Sequence, residues 1–204
     1  MIKKKFQSQQ TAIASYDYTD IASGTGYVIF YAGDVSGSKL LSPNEFYSDK
    51  GTTAINAQTA TFDLDFDVEF KRPMVLKGDV IVNIPLLFHN TGGAPSAFDP
   101  IFSASIRKWD GTTETDVASG SAIQDYTVPA SDISEVMAGI KVAVPQTEFK
   151  VGDVLRLTIL NTASTAGANI HMGHDPKSRL SLEPATYWTV TTATTAHFPF
   201  VIDI

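Results

Sequence analysis

The sequence predicts an all-β protein: a single antiparallel β-sandwich, jelly-roll-like, with at most one short helix. Three observations predict it. From Thr61 to Phe70, the apolar residues Phe62, Leu64, Phe66, Val68 and Phe70 alternate with Asp63, Asp65, Asp67 and Glu69. In a strand, where successive side chains take opposite faces, this places large apolar groups on one side and carboxylates on the other. Weaker alternation recurs along most of the chain in runs rich in β-branched and aromatic residues. Glycine and aspartate turn material separates these runs at the spacing of a sandwich of roughly eight to ten strands.

Taken in order, the strands are expected at Tyr27–Tyr31, Thr61–Phe70, Asp79–Phe88, Ile101–Trp109, Ile140–Val144, Val154–Leu160, Tyr187–Thr192 and Phe198–Ile202. Turns are expected at Gly33-Asp34, Lys77-Gly78-Asp79, Asn90-Thr91-Gly92-Gly93, Asp110-Gly111 and Gly152-Asp153. Asp110-Gly111 is the strongest hairpin signal, since both central residues of a type I′ turn need positive φ. One segment reads as a helix: Asp132-Ile133-Ser134-Glu135 sets an N-cap acid three residues before a glutamate, and Gly139 offers a C-cap, giving one or two turns over Ile133 to Ala138. Lys77-Gly78-Asp79-Val80 and Val151-Gly152-Asp153-Val154 look like one turn-to-strand device used twice. Residues 1–24 are polar and poor in apolar anchors and are expected to form an N-terminal arm, with residues 25–204 as the sandwich domain.

Composition narrows the function. Of 204 residues, 43% are apolar and only 18% charged, against a typical charged share of about 25%, so the chain can build a core and intrinsic disorder is excluded. The net charge of −7 argues against nucleic acid, because binding to phosphates needs clustered lysine and arginine, and Lys3, Lys4 and Lys5 are the sole basic run. There is no cysteine, hence no disulfide, thiolate nucleophile or cysteine-based zinc site. The basic start lacks the apolar stretch of a signal peptide, and no run is long and apolar enough for a membrane helix, so synthesis in the cytoplasm without membrane association is expected.

Each candidate for chemistry has a plainer reading that outweighs it. The ladder Asp63, Asp65, Asp67 and Glu69 could bind a hard cation, but alternate residues on a flat strand stand about 7 Å apart and cannot converge on one ion. A solvated or partner-facing row is the expectation, and on an edge strand it would also discourage edge pairing. His171-Met172-Gly173-His174-Asp175 gathers two imidazoles and a carboxylate, yet in a strand positions 171 and 174 face opposite ways, and ordinary rim residues are the better reading. No Gly-x-Ser-x-Gly elbow is present, and Gly24-Thr25-Gly26 has neither the preceding strand nor the following helix of a dinucleotide loop. Trp109, Tyr187 and Trp188 are the best candidates for stacking on a sugar, against the commoner roles of core or interface anchor. No catalytic residue, metal site or cofactor is expected.

The arm and first strand, Ser15-Tyr16-Asp17-Tyr18-Thr19-Asp20-Ile21-Ala22-Ser23-Gly24-Thr25-Gly26 running into Tyr27–Gly33, resemble virion structural proteins of tailed bacteriophages. So do Phe149–Leu157, His174-Asp175-Pro176 and the closing His197–Ile204. The resemblance implies a non-enzymatic head decoration, minor capsid or tail protein, folded in the host cytoplasm, located in the virion and acting through contacts with itself and other virion proteins. A carbohydrate-binding or host-adhesion module is the alternative. For a lattice component the expected interface sets Lys3, Lys4 and Lys5 of one arm against the Asp63, Asp65, Asp67 and Glu69 ladder of a neighbour.

Overall fold

The computed structural model describes residues 25–35, 38–44, 52–56, 62–90, 92–98, 101–123, 126–161, 168–173 and 193–201. Every regular element among them is a strand: β1 (Thr25–Val35), β2 (Ser38–Ser42), β3 (Thr52–Asn56), β4 (Phe62–Glu69), β5 (Met74–Asn90), β6 (Ser96–Phe98), β7 (Ile101–Trp109), β8 (Glu114–Ile123), β9 (Tyr126–Val128), β10 (Ile133–Phe149), β11 (Val154–Asn161), β12 (Ala168–Gly173) and β13 (Thr195–Val201). The all-β class is as expected. The arm, His174 to Asp175 and the strand expected at Tyr187–Thr192 lie outside the described residues.

One sheet runs β3-β12-β5-β13-β1-β2-β4-β11-β7-β8, and β10 pairs with the remaining flank of β5. β6 and β9 form a separate small ribbon, which meets β5 through Tyr126 stacked on Phe88 at 6.1 Å. All pairings are antiparallel except that of β2 with β4, a parallel contact through Leu40 and Asp67, so the sheet is mixed rather than purely antiparallel. The sheet curls until β8 meets β10 and the two halves enclose one core. Phe66, Phe88, Phe102, Phe149, Phe198 and Phe200 are its largest fully buried side chains. Burying each contributes about 1.5–3 kcal/mol. The inward phase of β4 and β11 is as the alternation predicts: Leu64, Phe66, Leu155, Leu157 and Ile159 are buried, and Val68 packs against them half-buried.

Four local expectations are corrected. Ile133 to Ala138 is not a helix but the first half of β10, paired residue by residue with β5 from Ile133 opposite His89 to Ala138 opposite Ile84. Long-range pairing overrides a local cap signal, and the segment keeps period two, with Met137 exposed, Ala138 buried, Gly139 exposed and Ile140 buried. Gly33-Asp34 is no turn; both residues continue β1 and pair with Leu40 and Lys39. Lys77-Gly78-Asp79 lies inside β5, where Gly78 has φ 124°. This is a bend in a continuous strand: the β10 register shifts beside it between Val144 and Thr147, and the β13 register between His197 and Phe200. Gly152, with φ 89°, does form a true turn between β10 and β11, so the two similar segments do different work. The Asp110-Gly111 hairpin joins β7 and β8 as expected, but with four residues between the Trp109–Glu114 pair. Only Gly111 has positive φ there, and Asp110 Oδ1 accepts hydrogen bonds from the Thr112 and Thr113 amides.

Two features close the sandwich. Asn90, fully buried at the end of β5, donates from Nδ2 to the carbonyls of Ala94 (2.8 Å), Pro129 (2.9 Å) and Val128 (3.2 Å) and accepts from the Gly92 amide, tying the loops before β6 and after β9 together. At the seam, a Cβ on Gly120 of β8 would run into the backbone carbonyl of Lys141 in β10, so only glycine permits this approach. Gly120→Val is therefore expected to lower stability by about 1–3 kcal/mol, read as an earlier urea midpoint with the strand signature in far-ultraviolet circular dichroism retained; an unchanged midpoint would show that the seam does not contribute.

Candidate functional site: the outer face of four strands

On β4, β11, β7 and β8 the residues that point away from the core fall into rows. The register aligns Glu69, Val154, Trp109 and Glu114 in one row, Asp67, Arg156, Arg107 and Asp116 in the next, and Asp65, Thr158, Ser105 and Ser119 in the third. A bulge in β8 at Val117 keeps Asp116 opposite Arg107 and on the outer face. Directly opposed residues stand close enough to pair, as Arg156 does with Asp67, Arg107 with Asp116 and Thr158 with Asp65.

Arg156 is the centre of the face. Its Nε and NH2 each donate to Asp67 at 2.8 Å in a two-pronged pair, and NH1 lies 3.4 Å from both Asp65 Oδ2 and Glu114 Oε1. The Asp67 hydrogen bonds, with further help from Asp65 and Glu114, hold the guanidinium protonated beyond its ordinary range. Thr158 donates to Asp65 at 2.5 Å. Arg107 pairs with Asp116 at 2.9 Å and with Glu114 at 3.6 Å. Glu69, at the end of the ladder, pairs with Lys71 at 2.6 Å, both well exposed. Asp65 and Asp67 are thus partnered within the chain, on a strand flanked by β2 and β11 rather than at an edge. Asp63 belongs to β4, but its side chain lies outside the described residues, as do Lys3, Lys4, Lys5, Tyr187 and Trp188. Trp109 is on this face with 38% of its surface exposed. His171 falls in β12 beside buried Met172. Among the described residues no three histidine or acidic side chains gather to hold a metal ion, and no helix is long and apolar enough to cross a membrane.

Around the edge from this face, Lys108 links three elements. Its Nζ donates to the Glu148 carbonyl at 2.6 Å, lies 2.8 Å from Asp153 Oδ2, and sits 5.4 Å from the Phe149 ring centroid. Asp153 also accepts from the Lys150 amide at 2.6 Å, and these hydrogen bonds, Lys108 first, hold its carboxyl below the usual aspartate value of 3.8. Neither Arg156 nor Lys108 stands out in the sequence. Each is one cation in a strand, and its importance comes from register.

No family model matches the chain, and no curated protein matches it. In fold it is similar to a CocE/NonD family hydrolase from Staphylococcus aureus, with a TM-score of 0.56 and 15% identity over 87% of this chain and 37% of that one. An aminopeptidase from a marine sediment archaeon, Thaumarchaeota archaeon, has a TM-score of 0.56 and 8% identity over 88% of this chain and 37% of that one. The chain therefore spans little more than a third of the length of these neighbours, and likeness at such identity is a likeness of fold alone. A structure of infectious bursal disease virus, Gx strain, is more distant, with a TM-score of 0.35 and 10% identity over 87% of this chain and 37% of that one.

Because the Asp153 carboxyl is depressed in the folded state, its stabilisation is present above its ordinary value and is lost as pH falls through the lower folded value. Asp153→Asn should lower stability at neutral pH by about 2 kcal/mol and flatten the loss of stability as pH falls through and below the ordinary aspartate value; acid titrations of the two proteins by circular dichroism that superimpose would reject the assignment.

Proposed function

We propose that the chain is a non-enzymatic structural protein of a virus particle, a capsid decoration, minor capsid or tail component, that works by packing against copies of itself and other virion proteins. The observation that carries the reading is the charge balance of the outer face. Among the described residues of this face, Asp65, Asp67, Glu114 and Asp116 surround Arg107 and Arg156 alone, so a surface built on strands keeps an excess of negative charge after its internal pairs are made. Lys3, Lys4 and Lys5 of a neighbouring arm have the complementary sign. The resemblance of the arm and first strand to phage virion proteins supports the setting, and the acidic net charge suits a protein outside packaged nucleic acid. Deleting residues 2–24 should leave melting nearly unchanged but weaken self-association, or attachment to the particle, in a salt-sensitive way. Sedimentation and particle-binding assays over a salt series test this; unfolding of the truncated chain, or assembly equal to that of the full chain, would refute the arm's role.

A carbohydrate-binding role is the second reading, and Trp109 favours it. Its exposed ring lies across from Glu114 and one row from Arg107 and Arg156, so an aromatic platform adjoins fixed donors and acceptors. On this reading Trp109→Ala should abolish retention on a glycan array while leaving the melting temperature within a few degrees; a protein that no glycan retains removes the reading.

A further inference from the structure

We propose that the chain binds a linear aliphatic monocarboxylate in an apolar cleft between β1, β4 and β13, with its carboxylate at Arg72. The cleft measures about 470 Å³, within the range of about 300–1,000 Å³ typical of small-molecule sites. Its accessible walls are the half-buried Val68 of β4 and Met74 at the start of β5, and the core residues Val28, Phe30, Phe70 and Phe200, each no more than 7% exposed, form its floor.

Strand length opens it. β2 pairs with β1 only from Tyr31 to Val35 and touches β4 through one residue pair, so the half of β1 that carries Val28 and Phe30 pairs with β13 alone among the described strands. Protein interiors are ordinarily packed without voids larger than a water molecule, and an apolar opening of this size therefore leaves side-chain surface without contact partners. Val68 and Met74 are accordingly only half-buried.

Charge selects the occupant. The mouth is lined by Glu69, Lys71 and Arg72. Glu69 and Lys71 neutralise one another at 2.6 Å, whereas Arg72 is exposed and has no ion-pair partner among the described residues. A protein of net charge −7 thus sets an unpaired guanidinium at the entrance of its apolar cleft. A guanidinium takes a carboxylate in a planar two-pronged pair, and an aliphatic tail replaces the missing contacts along the walls. A cationic or uncharged amphiphile gains only the second of these.

The test uses the full chain and decanoate below its micelle concentration. Isothermal titration calorimetry should show one saturable site, with the Met74 methyl resonance shifting along the same isotherm. Arg72→Glu, at an exposed position, should weaken decanoate at least tenfold with unchanged melting, and Val28→Trp, which fills the cleft, should abolish binding. Decyltrimethylammonium should bind at least tenfold more weakly than decanoate. Absence of saturable binding, equal affinity of decanoate for the native and Arg72→Glu chains, or equal binding of the cationic amphiphile would overturn the proposal. If Val28→Trp does not fold, the Met74 shift and the Arg72→Glu comparison decide it alone.

Discussion

The architecture depends on the pairing of β5. This 17-residue strand is hydrogen-bonded along one flank to β10, also of 17 residues, and along the other to β12 near its end and to β13 nearer its start. Leu86 thus stands between Val136 and Met172, and Val82 between Ile140 and Ala196. A strand paired on both sides has no freedom to slip, because moving it by one residue would turn Val80, Val82, Ile84, Leu86 and Phe88 out of the core together. Its bend at Gly78 carries the sheet round a corner. The Pro199 ring lies 3.3 Å from where a Cβ would stand, so the corner is both turned by a glycine and filled from β13.

The two faces of the curled sheet are built by opposite rules. Inward, phenylalanines meet edge to face, with Phe30 and Phe198 centred 5.6 Å apart and Phe70 and Phe200 5.7 Å apart. Outward, on β4, β11, β7 and β8, charged side chains find partners across strands. The ion pairs of this face are partly screened by water and add modestly to stability. They do fix the orientation of the groups on it, which is what a recognition surface needs.

Much of this was legible where a strand has one buried and one solvated face. β4, β7 and most of β11 follow their alternation because burial and polarity agree there; Thr158 and Asn161, buried and polar, and Leu160, half-buried and apolar, are the exceptions. Reading failed where a local signal had a non-local competitor. Asp132, Glu135 and Gly139 carry the marks of helix ends, yet the partner that decides their conformation is β5, distant in sequence. Gly33, Gly78 and Gly152 look alike as glycine–aspartate pairs, and what distinguishes a strand interior, a bend and a turn is the neighbour each meets. The acidic ladder was visible, but its union with Arg156 was not, since cross-strand partners follow from register and register follows from the whole sheet. Gly120 gave no signal either, for its reason is a carbonyl on another strand.

The contact between Gly120 and Lys141 also bears on the order in which the molecule forms. β7 and β8 are a hairpin with a short loop and can pair early, whereas β10 must first find β5 across a long stretch of chain. The meeting of β8 with β10 presupposes both events and therefore follows them. Interactions made after the transition state govern the rate of unfolding and leave the rate of folding almost untouched. A seam completed after the transition state would act as a latch on the lifetime of the folded state, without guiding the chain towards it.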